Sequence, residues 1–340
     1  MQLFPPQPTL LRMLAIFLTI LPLMVFTGCS GNDEIKDTRF MMGTLVEFTV
    51  ITSDDAMAQE AIHVAADTMQ SLSDRFTIYG TQANIIKTFN QSPIGIATRM
   101  PEDIDALLHM SLKIQQQSMQ AFSPTLGSLS VLWGFSGNPP PTRPPAASQI
   151  ASLLTASTNC LIVDQHLWQH TQADCHLDLG GIAKGYIIDR GIEELKKHGI
   201  RHAMINAGGD IRIIGSHGKR PWHIGIRHPR KAGEVIATLD LEGDTSIVTS
   251  GDYERYYEFE HRRYHHILNP ATGYPAMASQ SATVIAHQAS LADAWSTALF
   301  VLGKAGLPAL KQQGLNGILV DDKGEIYSTD GVKQYLQHPG

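Results

Sequence analysis

Four short segments carry residue types that can do chemistry. The first is Leu177-Asp178-Leu179-Gly180-Gly181-Ile182-Ala183-Lys184-Gly185. It reads as a strand that delivers a carboxylate, a tight two-glycine turn, and a helix with a lysine in its first turn. Backbone N–H groups at a helix N-terminus favour anions, and glycines let that backbone come close to a ligand. Lys184 adds a point charge suited to phosphate, although an early lysine runs against the helix dipole. The spacing is neither Walker A nor GxGxxG, so a plain tight turn with a surface lysine competes with the phosphate reading.

The second segment is Asn206-Ala207-Gly208-Gly209-Asp210, either a hairpin turn or a backbone loop laid against a flat ligand. The third is Ser290-Leu291-Ala292-Asp293-Ala294-Trp295-Ser296-Thr297. On a helix, Asp293 and Thr297 share one face, and a carboxylate with a hydroxyl suits a hard cation bound through oxygens. The bland alternative is a Ser290-x-x-Asp293 capping box with Thr297 bonded back to the preceding turn. The fourth is His265-His266-Ile267-Leu268-Asn269-Pro270-Ala271-Thr272-Gly273, where one histidine can carry a proton near neutral pH or simply be hydrogen-bonded at the surface.

The elements that must position these groups are legible from periodicity. Phe40 to Ile51 reads as a strand. Ala56 to Leu72 and Pro101 to Met119 read as amphipathic helices, the second with Pro101 in its first turn. The proline-rich stretch from Asn138 to Pro145 is a loop, and Ala146 to Leu154 a short helix. His176 to Leu179 is expected as a strand and Ile182 to His198 as a helix closed by Gly199. Strands follow at 201–206, 211–214, 222–227, 235–241, 246–249, 256–259 and 281–286. A helix from Ser290 to Val301, a further helix from Gly306 to Gln313, and a hairpin around Asp322-Lys323-Gly324 complete the chain. Grouped rather than alternating strands favour an α+β fold with mixed or antiparallel sheets flanked by helices.

The N-terminus carries one charge, Arg12, within residues 1–28, followed by the apolar run Met13 to Phe26. That run is short for a membrane span and reads as a signal peptide. It ends in Phe26-Thr27-Gly28-Cys29-Ser30, similar to a bacterial lipoprotein signal with Cys29 as the lipidated thiol; an ordinary signal peptide with an incidental cysteine is the alternative. Residues 29–39 read as a polar tether. The formal net charge of −6 gives no basic footprint for nucleic acid. Cys160 and Cys175 flank short alternating segments, and an oxidising compartment permits a disulfide between them; two buried free thiols is the other possibility.

In this order, the segments resemble the FAD:protein FMN transferase (ApbE) family. The likeness runs from Met41-Met42-Gly43-Thr44 to about Gly303 and includes Phe89-Asn90, Ala121-Phe122-Ser123-Pro124-Thr125, Leu132-Trp133-Gly134-Phe135 and Thr249-Ser250-Gly251-Asp252-Tyr253-Glu254, besides the segments above. The resemblance implies one large two-lobed domain over 40–340 with a FAD cleft. It implies that Met42, Tyr79, Ala121, Phe122, Ser123, Asp178 and Lys184 bind FAD. Mg2+ would be held by Asp293, Thr297 and a carbonyl near Gly181, with Asp293 and His266 as catalytic groups and His266, near the reacting phosphate, as base. The implied reaction moves FMN from FAD to a threonine of an acceptor, releasing AMP. The acceptor would be a flavin-carrying subunit of a membrane redox complex on the periplasmic face, most often of the inner membrane. The family usually shows Asp where Ser123 and Asn269 stand, which puts FAD or metal affinity in question. Mg2+-dependent FAD hydrolysis to FMN and AMP, or a flavin-binding lipoprotein without turnover, are the competing functions.

Overall fold

The computed structural model describes residues 33–137 and 139–336. The segment expected as a single strand from Phe40 is instead a hairpin, β1 (Asp33–Met41) and β2 (Thr44–Thr52). Met42 and Gly43 both adopt positive φ at its turn, the conformation that a two-residue hairpin connection requires. The expected polar tether therefore needs correcting. Residues 33–39 belong to β1, because pairing with β2 satisfies their backbone groups and Ile35 is buried. The signal segment and Cys29 lie outside the described residues.

After the hairpin come α1 (Asp55–Phe76), α2 (Ile85–Asn90), β3 (Thr98–Arg99), α3 (Glu102–Gln117), α4 (Gly127–Trp133) and α5 (Ala147–Ser157). Next are β4 (Leu161–Asp164), β5 (Leu167–His170), α6 (Ala183–Lys197), β6 (Ala203–Ala207), β7 (Asp210–Ile214), β8 (Trp222–Arg227), β9 (Val235–Leu241) and β10 (Thr245–Gly251). The chain then forms β11 (Tyr256–Phe259), β12 (Arg262–His265), β13 (Ser279–Ala286), α7 (Ala289–Leu302), α8 (Leu307–Gln312), β14 (Asn316–Asp321) and β15 (Ile326–Ser328). Eight strands form the main sheet in the order β1-β2-β6-β7-β10-β13-β14-β15, with antiparallel neighbours throughout. The class is α+β, as expected.

Burial follows the two faces of that sheet. Val46, Phe48 and Val50 alternate toward the large core shared with α1, α6 and α7. Ile211 and Ile213 of β7, with Ile247 and Ile285, point the other way against Trp222, Ile224 and Leu239 of the β8–β9 hairpin. β7 is thus buried on both faces. Its other face carries the charged Asp210 and Arg212, buried with partners of opposite charge. A smaller cluster gathers Leu129, Trp133, Ile150, Tyr257, Tyr264 and Leu268, so a main body and a lesser aromatic one share the fold. Trp133 is tied down by donating from Nε1 to the Gly273 carbonyl at 2.8 Å.

One local expectation changes, and one of two open alternatives is met. Residues 176–179 are extended but form no strand. The Asn90 side chain pairs with both backbone groups of Leu177, at 2.7 and 2.9 Å, and Asp178 N donates to Pro124 O. A side chain thus stands where a neighbouring strand would, which no periodicity reveals. Cys160 and Cys175 form a disulfide across the ends of the β4–β5 hairpin, with a Cα separation of 5.9 Å.

Candidate active site

The N-termini of α6 and α7 meet and cap one another. An α-helix leaves its first N–H groups without internal partners. In α6, Gly185 N donates to Asp293 Oδ2 of α7 at 2.9 Å. In α7, Ala289 N and Ser290 N donate to the two carboxylate oxygens of Asp189 on α6, and Ser290 Oγ donates to Asp189 Oδ2 at 2.7 Å. Arg212, buried on β7, completes the joint by donating to Asp189 and to Asp244. Gly185 is what lets the helices close up, since a Cβ there would lie 2.2 Å from the Ala289 carbonyl oxygen. The capping-box alternative for Ser290 and Asp293 fails, because the Asp293 carboxylate serves α6 and Gln288 is the N-cap of α7.

This joint sits at one end of a cavity of about 890 Å³, within the usual range for a bound cofactor or substrate. Lys184 lies there with Nζ 2.8 Å from Asp210 Oδ2. Burial alone would depress its pKa, but the Asp210 carboxylate outweighs burial and the ammonium is held above its ordinary value. Asp210 Oδ1 in turn accepts from Thr249 N at 3.2 Å. Gly208 and Gly209, both at positive φ, form the tight turn that brings Asp210 to this place; a Cβ on Gly208 would meet Thr44 Oγ1 at 2.4 Å. The segment is thus both a hairpin turn and part of the cavity wall. Asp178 also lines the cavity, its Oδ1 accepting from Gly180 N at 2.9 Å, which folds the two-glycine turn around the carboxylate.

Asp293 and Thr297 face the cavity one helical turn apart. Burial and the nearby Asp210 carboxylate push the Asp293 pKa up to about 8. A cation bound beside it would favour its ionised form. Gly181 belongs to the same corner: a Cβ on it would lie 3.1 Å from Phe122 Cε2 and 3.5 Å from Thr297 Oγ1. Among the described residues no cluster of three or more His, Cys, Asp or Glu could hold a metal. One carboxylate, one hydroxyl and a main-chain carbonyl fit the sparse oxygen set of a Mg2+ that keeps waters and substrate phosphates as its other ligands.

His266 lines the same cavity, its imidazole held neutral, its pKa well below the ordinary value through burial and the charge of Arg255. Its Nδ1 is buried without a hydrogen-bond partner. Met42, Tyr79, Ala121, Phe122 and Ser123 complete the wall. Every residue the sequence singles out for FAD or metal therefore lines one cavity.

The ApbE family model matches residues 42–320. This chain belongs to the ApbE family. A FAD:protein FMN transferase of Klebsiella pneumoniae (strain 342) is 30% identical, over 87% of this chain and 92% of that protein. One of Rhodobacter capsulatus is 28% identical over 89% of this chain, which spans 58% of that protein's length. The solved structure of the ApbE protein from Thermotoga maritima superposes with a TM-score of 0.83 at 32% identity, covering 90% of this chain and 100% of the other.

Within this ApbE chain, the two departures from the usual pattern fall on turns. Asn269 Oδ1 accepts from Ala271 N at 2.9 Å, the turn-forming contact an aspartate would make, without the charge. Ser123 Oγ pairs with Thr125 Oγ1 at 2.9 Å and sits within reach of Gln115. Asp210, Ser250 and Arg255 also line the ApbE cavity, although the sequence assigned none of them a role. Asp210 had one visible signal, a carboxylate directly after a Gly-Gly turn.

Proposed function

We propose that this protein transfers FMN from FAD to a threonine hydroxyl of an acceptor flavoprotein and releases AMP. The observation that carries this reading is the convergence of Lys184, Asp293, Thr297 and the Gly180–Gly181 turn on one dinucleotide-sized cavity. Such a site grips a pyrophosphate, because cations stabilise the charge that grows on phosphate oxygens during transfer. The names of the relatives agree with it.

The threonine oxygen attacks the phosphorus of the FMN half, that P–O bond forms, and the bond to the AMP phosphate breaks. Lys184 and the Gly181 amide hold the phosphates and steady the departing AMP. His266, which lines the cavity and is held neutral, takes the threonine proton. Asp293, Thr297 and the Gly181 carbonyl would hold Mg2+, which supplies Lewis-acid polarisation of the phosphate oxygens when bound. Tyr79 and Met42 wall the cavity where a flat ring can lie.

The protein acts outside the cytoplasm, anchored through a lipid on Cys29, on a flavin-carrying subunit of a redox complex in the inner membrane. The Cys160–Cys175 disulfide supports an oxidising compartment. Among the described residues no helix is long and apolar enough to cross a membrane. The test is mass spectrometry of an acceptor flavoprotein incubated with this protein, FAD and Mg2+. FMN added at a threonine, with AMP released in step, is the expected result. AMP released equally without acceptor would make the protein a FAD hydrolase instead, and tight FAD binding with no AMP would make it a carrier.

A further inference from the structure

Three hydroxyls run in a chain from the Mg2+ corner into the body of α7. Ser296 Oγ lies 2.8 Å from the Asp293 carbonyl, Ser250 Oγ lies 2.8 Å from Ser296 Oγ, and Thr297 Oγ1 lies 3.3 Å from Ser250 Oγ. Each hydroxyl owns one proton and two lone pairs. A carbonyl only accepts, so the Ser296 proton goes to Asp293 O. Ser250 must then donate to Ser296, which leaves Ser250 only lone pairs to offer Thr297. Thr297 in turn donates to Ser250. The direction of the whole chain follows from its buried end, where Ser296 has no exposure to solvent.

We propose that Ser250 and Ser296 are positioning residues that fix the polarity of the Thr297 hydroxyl. With its proton committed to Ser250, Thr297 Oγ1 turns only lone pairs toward the cavity and is preset as a cation ligand. The same chain ties strand β10 to helix α7, so the hydroxyl's position and its polarity are set together. Outer-shell partners of this kind orient a ligand before the metal arrives. This rests on the functional reading above for the identity of the cation and deepens it by naming what prepares the site.

The test reads the Mg2+ midpoint for FAD capture, followed by flavin fluorescence without acceptor, in the full-length protein. Ser250→Ala should raise the midpoint by about tenfold, and Ser250→Thr, which keeps the hydroxyl, should restore most of it. Thr297→Val should raise the midpoint at least as much as Ser250→Ala. In the double variant, adding Ser250→Ala to Thr297→Val should cost nothing further, because Ser250 acts through Thr297. Thermal unfolding without Mg2+ should match wild type, so that a misfolded variant is recognised. An unchanged midpoint in Ser250→Ala, or losses that add in the double variant, would overturn the relay while leaving the transfer reading in place. A wild-type protein whose FAD capture ignores Mg2+ would overturn the metal site, and the relay with it.

Discussion

At the floor of the cavity, charged and polar groups are buried and answered across helices: Asp189 caps α7, Asp293 caps α6, and Arg212 joins Asp189 to Asp244. At the rim, the same cavity is held by turns. Met42 sits at positive φ, and the loop carrying Tyr79 is pinned by Lys87 Nζ, which donates to the carbonyls of Tyr79, Gly80 and Gln82. The floor is rigid because moving any one group strands another in a low-dielectric interior. The rim is held by exposed contacts within single loops. Under the proposed function, chemistry that needs sub-ångström placement would sit on the floor, and capture of a large flat substrate would fall to the rim.

The largest effect that would break this contrast is at Asp293. Asp293→Asn keeps an acceptor for Gly185 N–H but removes the charge, and transfer should fall by about 10³-fold or more. Its pKa sign gives a second readout. The fold raises the Asp293 pKa from 3.8 to about 8, so the protonated form is favoured. Stability from this group is full below about pH 4 and is lost as pH climbs to about 8. Without Mg2+, Asp293→Asn should therefore melt higher than wild type at pH 8.5, and Mg2+ should raise the wild-type Tm more at pH 8.5 than at pH 6. A lower melting temperature for the variant at pH 8.5 would show that the carboxylate is stabilising rather than waiting for a cation.

Asp189→Ala comes next. It removes the cap of α7 and strands one side of buried Arg212, and should cost about 3 kcal/mol in denaturant unfolding. A loss below about 1 kcal/mol, the size of an ordinary helix cap, would mean that the reciprocal joint is not what holds the floor. His266→Ala should slow turnover about 10²-fold with FAD affinity little changed, and equal losses in both would move His266 from proton acceptor to binding residue. The smallest effect belongs to the rim. Tyr79→Ala should weaken FAD binding by about 1 kcal/mol with kcat unchanged, measured by titration beside steady-state kinetics. A fall in kcat would erase the distinction between floor and rim.

Floor and rim also differ in how far they can be read from sequence. The turn and helix start at 180–185 and the Asp293–Thr297 face are local patterns and are where the spacing places them, whereas the strand expected at 176–179 is absent. The partner of each is distant in the chain and leaves no periodic trace: Asp210 for Lys184, Gly185 for Asp293, Asp189 for Ser290. Residues 33–39 look like tether because their burial alternates weakly and their pairing with β2 depends on a turn two residues long. β12 is missed because the two charges at its start, Arg262 and Arg263, mask the buried Tyr264 and His265 that follow. The α+β class survives these slips, since it depends on the grouping of elements and not on their ends.

The early start of β1 has one more consequence. Were Cys29 lipidated as proposed, only residues 30–32 would separate the lipid from strand Asp33–Met41, a span of at most about 14 Å at ~3.5 Å per residue. An enzyme on so short a leash cannot search the surrounding fluid for its target. The receiving threonine would have to travel to it, on a protein moving in the same bilayer.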